Sequence, residues 1–149
     1  MASIDEEIKS KFKDDRQRLV VNLAYTAGWL RNRHIEFLKP FDVSPQQFNI
    51  LRILRGAKDW VAMSIVKDRM VEKAPNATRL ADKLMDKSLI ERRRCDEDRR
   101  VVYVHIAEKG LALLKEIDEK HEEAHFAVAA SISLEDAKFM SNLLDELRG

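Results

Sequence analysis

Between positions 15 and 38 the chain places Val20, Leu23/Ala24, Ala27, Leu30, His34 and Phe37/Leu38 at intervals of three and four residues. That interval is the repeat of one helix face, so the stretch predicts a long helix that ends near Pro40. In "VSPQQFNILRILRG", Ser44 stands as N-cap, Pro45 at the first helical position and Gln47 three residues after the cap, and the helix is expected to stop at Gly56. After "AKDWVAM", Ser64 is expected to cap a short helix reaching Met70. A second short helix follows in "APNATRLADKLMDKS", with Pro75 in its first turn and Ala77, Leu80, Ala81 and Leu84 on one face.

The pattern then changes period. "LIERR" and "VVYVHI" read as two strands joined by a charged loop, a hairpin without a tight Asn-Gly turn. From Ala107 to about Ala130 a helical stripe returns at Leu114, Ile117, His121, Ala124 and Val128. The segment "SLEDAKFMSNLLDELRG" closes as another amphipathic helix, capped by Ser133 and expected to turn Phe139/Met140, Leu143 and Leu147 inward. The first long helix and the last two are too extended for the small central unit to cover. A helix with one apolar side needs something to bury it, which predicts a homodimer.

Composition narrows the class. The 149 residues carry only four glycines and three prolines, and 45% are hydrophobic, as expected of a helix-rich globular domain rather than a disordered chain. The single cysteine, Cys95, excludes an internal disulfide, and the start "MASIDEEIKSKFKDD" contains no apolar signal core, so a cytoplasmic location is expected. No apolar run approaches the roughly 18 residues of a membrane span. The net charge of +1 conceals an asymmetry: residues 52–100 carry 14 Lys/Arg against 9 Asp/Glu, and residues 110–149 carry 4 against 9. A balance of +5 in one segment and −5 in another suggests one face that attracts anions.

Helices followed by a hairpin with an arginine-rich tip form a winged helix-turn-helix arrangement. The sequence resembles the MarR family of bacterial transcription regulators. "DRRVVYVHIAEKG" is similar to the family's D-R-R-x-x-x-V-x-L-T-x-x-G wing signature. "NATRLADKLMDKSLIERR" stands in place of its V-T-R-L-x-x-x-L-x-x-K-G-L-I-x-R recognition helix. Three positions depart from the pattern: Ala107 replaces a capping Thr, Ser88 a Gly, and Ala77 a Val. The expected fold is mainly α with a small β-hairpin wing (α+β), a single domain over residues 1–149. Its winged helix-turn-helix lobe is expected at about 44–106, flanked by dimerisation helices at about 1–40 and 107–149.

Residue chemistry gives roles within that frame. A recognition helix presents its N-terminal residues to base edges in the major groove, which makes Asn76, Thr78 and Arg79 the candidates for readout. Asn suits adenine and Arg suits guanine. Lys83, one turn beyond Arg79, is a candidate phosphate contact, and Ser64 and Lys67 are candidates for backbone positioning. Arg99 and Arg100 are expected to enter the minor groove from the wing. By the family pattern, Asp98 braces a neighbouring arginine and Arg92 contacts a phosphate. Because Arg92, Arg93 and Arg94 alternate in direction along a strand, not all three can touch DNA. Expected partners are a pseudo-palindromic duplex operator and a second copy of the chain, with no cofactor and no enzymatic activity. The resemblance also implies a pocket for a small aromatic effector, for which Tyr25, Trp29 and Trp60 are candidates, unless these rings belong to the core.

Two features compete with this reading. "HEEAH" fits the H-E-x-x-H spacing, in which His121 and His125 ligate zinc and Glu122 is a general base. It supports three alternatives: a zinc hydrolase, a regulatory metal site completed by His34 or a carboxylate, or ordinary positions on a helical bundle. Cys95, beside Arg92 to Arg94, is either a thiolate-stabilised redox sensor or a bystander.

Overall fold

The structure, a computed structural model, describes residues 2–149 apart from the side chains of 121–128. In chain order the elements are α1 (Ile4–Glu7), α2 (Asp15–Leu38), a 3-10 turn (Lys39–Phe41), α3 (Pro45–Ala57), β1 (Val61–Ala62), α4 (Met63–Arg69), α5 (Ala77–Asp86), β2 (Ile90–Arg94), β3 (Val102–Ile106), α6 (Glu108–Ala129) and α7 (Leu134–Arg148). The mainly helical winged-helix fold expected above is the one found.

The local chemistry explains most boundaries. Ser44 and Gln47 form a reciprocal capping box, the Gln47 amide donating to Ser44 Oγ at 3.1 Å and the Ser44 amide to Gln47 Oε1 at 3.0 Å. At the other end of the lobe, α5 buries Ala77, Leu80, Ala81 and Leu84, the face predicted from spacing. It closes in a Schellman arrangement: the Leu89 amide donates to the Leu84 carbonyl and the Ser88 amide to that of Met85. Ser88 consequently takes a left-handed φ of 61°, where glycine is easier.

Three expectations need correction. The sheet has three strands, in the order β1-β3-β2, because Val61 and Ala62 pair antiparallel with Val104 and Tyr103. Since β1 runs directly into α4, the N-cap is Ala62, and Ser64 lies inside the first turn rather than capping it. Pro75 likewise precedes the α5 N-cap, Asn76, instead of occupying the first turn.

The core is continuous across the lobe. Leu38, Ile50, Leu51, Leu54, Leu84, Leu114 and Ile117 are fully buried, each contributing roughly 1.5–3 kcal/mol by leaving water. Gly110 lets α6 cross the sheet closely: a Cβ there would meet the Leu89 carbonyl oxygen at 2.3 Å and Ile106 Cγ1 at 2.8 Å. Arg55 of α3 also reaches Asp118 of α6 at 2.6 Å.

Outside the lobe the helical stripes lack cover within one chain. Of the α2 stripe Leu38 alone is buried, and α7 buries no residue. Phe139, Met140, Leu143 and Leu147 are exposed rather than inward, from 46% at Leu143 to 62% at Phe139. The short α1, not expected from the sequence, folds back on α2, where Asp5 pairs with Arg18 at 2.8 Å.

Candidate nucleic-acid interface

The α5 face that buries four apolar residues leaves Asn76, Thr78, Arg79 and Lys83 exposed on the opposite side. Asn76 is the N-cap but makes no capping bond with its side chain. Ser64, Lys67 and Thr78 line one cavity with the base of the hairpin. Lys83 lies on the other flank of α5, beside Lys87 and the start of α3.

The wing tip is organised by its carboxylate. Asp98 Oδ1 accepts from the Arg100 amide at 3.0 Å and from Arg100 Nε at 3.1 Å, while Oδ2 accepts from Nη2 at 3.3 Å. The Arg100 side-chain bond, then its backbone bond, holds the Asp98 carboxyl below the usual aspartate range. Arg100 is thereby aimed while its side chain remains 91% exposed. This pair is the carboxylate–arginine brace expected from the sequence.

The three arginines of β2 divide by alternation. Arg92 turns toward the helices and donates to Asp82 of α5 at 2.6 Å, so its charge is already partnered. Arg93 turns to the outer face of the sheet, its guanidinium 4.5 Å from the Trp60 ring centre and 5.8 Å from that of Tyr103. Arg94 returns to the helix side and donates to the Arg99 carbonyl at 3.1 Å, tying the tip to the strand. Arg94, absent from the residues singled out in the sequence, lines the same cavity as Ser64, Lys67 and Thr78.

The candidate effector residues are dispersed. Tyr25 donates to Glu7 at 3.0 Å, a bond that raises the phenol pKa above its ordinary value. Trp29 lies under Arg33, and Trp60 stacks on His105 across the outer sheet face, 5.4 Å between ring centres. None of the three lines the cavities of about 730 and 420 Å³ that open between α2, α3 and the segment before α5. Leu30, His34 and Phe48 line the smaller one, and Arg31 and Glu72 border both, 3.1 Å apart.

His121, Glu122 and His125 lie outside the described residues. Among the described residues no group of three His, Cys, Asp or Glu side chains is placed to hold a metal ion. Cys95 is half-buried at the end of β2, its amide bonded to the Val101 carbonyl. No described helix is long and apolar enough to cross a membrane.

Comparison with known proteins sets this geometry in a class. The model of the MarR family matches residues 43–102. The HTH-type transcriptional regulator YpoP of Bacillus subtilis is 34% identical over 99 residues, covering 65% of this chain and 67% of the relative. A MarR transcription factor from Planctomyces limnophilus is 31% identical, with a TM-score of 0.71 over 91% of this chain and 98% of the other. A mutant MarR from Escherichia coli, solved in complex with operator DNA, shares the fold at 20% identity, with a TM-score of 0.79 over 93% and 99% of the two chains. The chain belongs to the MarR family: it is a transcriptional regulator, not an enzyme.

Proposed function

We propose that the protein binds a pseudo-palindromic duplex operator as a homodimer, reading each half-site with α5 in the major groove and the wing tip in the minor groove. The observation that carries this is the shared exposure of Asn76, Thr78 and Arg79 on α5 and of the Asp98-braced Arg100 on the wing. Phosphate contacts fall to Ser64, Lys67 and Lys83. Arg92 serves through Asp82 to hold the wing against α5.

What one chain leaves uncovered supports dimerisation. An amphipathic 15-residue helix with no buried residue, α7, and the exposed Leu19, Val20, Trp29 and Leu30 of α2 leave apolar area that water penalises. In this reading residues 1–40 and 107–149 build the dimer, and residues 44–106 form the DNA-binding lobe. A dimer seated on two half-sites about one helical turn apart excludes other proteins from that DNA, which supports repression as the output, exerted in the cytoplasm. The effector site lies between α2 and α3, where Leu30 and Phe48 offer apolar walls beside Arg31. A ligand there acts if it binds better to a dimer whose α5 helices are wrongly spaced for DNA.

Selection of duplexes from a random pool at about physiological salt tests the reading. Specific sites bind roughly 10³-fold or more tighter than random DNA, so an inverted repeat should be enriched, and an unenriched pool overturns the proposal. Arg79→Ala should relax selectivity at one position, costing about 1–3 kcal/mol on operator alone, whereas Lys83→Ala should weaken all sequences alike.

A further inference from the structure

The alternation of β2 leaves one arginine with neither a carboxylate nor an aromatic ring to account for it. Arg93 opposes Tyr103 and lies against Trp60 on the outer face, and Arg92 is held by Asp82. Arg94 opposes Val102 and bonds the Arg99 carbonyl. That bond uses one of five guanidinium donors and fixes the direction of the rest.

Those donors border a cavity of about 470 Å³ between α4, α5 and the hairpin. Its wall carries Lys67, Arg92, Arg94 and Arg100; Asp82 takes up the charge of Arg92 and Asp98 that of Arg100, which leaves Lys67 and Arg94 as the excess. The Ser64 hydroxyl adds a neutral donor. Arg100 is held in place by Asp98, so two guanidinium groups at the rim are oriented before anything binds. A concave site with excess positive charge, planar forks and a hydroxyl donor is complementary to a tetrahedral oxyanion.

We propose that this cavity seats one phosphate of the DNA backbone, where the strand passes between the groove read by α5 and the groove entered by the wing, and that Arg94 holds it. The proposal rests on the DNA-binding reading above. It separates three consecutive arginines into a strut, Arg92, a stacked cation, Arg93, and a phosphate ligand, Arg94.

The test compares the salt dependence of duplex binding for the full-length wild type, Arg94→Ala, Arg94→Lys and Arg93→Ala. Each phosphate contact contributes about 0.9 to the slope of log affinity against log salt. Raising salt from about 50 to 200 mM should therefore cost the wild type about 3.5-fold more affinity than Arg94→Ala. Arg94→Lys should keep the wild-type slope, and Arg93→Ala should match the wild type. Replacing the seated phosphate by a neutral methylphosphonate should reproduce the Arg94→Ala loss and add nothing to it. An unchanged slope in Arg94→Ala, or an equal fall in Arg93→Ala, overturns the proposal. If the wild type binds no duplex, the DNA reading fails and the DNA phosphate seat fails with it. Titration with inorganic phosphate, read from the arginine Nε–H resonances, then distinguishes a free-anion site from no site.

Discussion

Gly110→Ala should destabilise the protein although alanine is the better helix former. In this position the added methyl would lie 2.3 Å from the Leu89 carbonyl oxygen and 2.8 Å from Ile106 Cγ1, and the first of these is backbone that cannot rotate away. Relief requires α6 to lift from the sheet. Overpacking of this kind costs about 1–3 kcal/mol, and the Ala107 amide bond to the same carbonyl, 3.0 Å, is strained or lost at about 1 kcal/mol. Helix propensity returns about 1 kcal/mol. The balance is a loss of about 1–3 kcal/mol, or about 2–12 °C in melting temperature for a chain of this size. Thermal and urea unfolding followed by circular dichroism, at fixed protein concentration, measures it. Gly56→Ala is the control, because nothing lies within 4 Å of a Cβ there, and it should be neutral or stabilising. A Gly110→Ala protein at least as stable as the wild type would refute the close-crossing argument.

Ser88→Gly should stabilise by about 1 kcal/mol by removing the left-handed penalty at φ 61°, measurable as a higher urea midpoint at unchanged slope. Asp98 should titrate below the ordinary aspartate range in a carboxyl-detected experiment, and Arg100→Ala should return it toward that range. Because its folded pKa is depressed, the brace is fully present above the ordinary aspartate pKa and is lost as pH falls through the lower folded value. Phe139→Asp should weaken self-association by at least about 100-fold, through a charge buried without a partner in the proposed interface. Sedimentation at concentrations where the wild type is dimeric would show this, and an unaltered dimer would move the interface away from α7.

Elements marked by strong local chemistry were legible in the sequence: the Ser44–Gln47 capping box, the four-residue buried face of α5, and, within a residue at each end, the hairpin strands "LIERR" and "VVYVHI". What escaped needs long-range pairing. Two residues, Val61 and Ala62, form a strand because β3 is there to pair with them, and that pairing in turn displaces Ser64 from the cap position. The same pairing carries Trp60 to His105 and away from the cavities between α2 and α3. The direction of Arg94 follows from register and from Asp82 engaging its neighbour, neither of which spacing alone discloses. The stripes of α2 and α7 were visible as stripes, but a pattern of apolar positions records that a helix needs cover, not which surface supplies it.

Leu89 receives the end of one helix and the beginning of another within a single peptide unit. Its amide closes the α5 cap on Leu84, its carbonyl anchors the Ala107 amide, and Gly110 packs on that same oxygen. With Asp82 linking α5 to β2, α5, the wing and the base of α6 are joined into one part. In the dimer proposed above, a torque applied along α6 turns that part as a whole. On that proposal, rearrangement of the dimer changes the distance between two reading heads, while leaving untouched the sequence that each of them recognises.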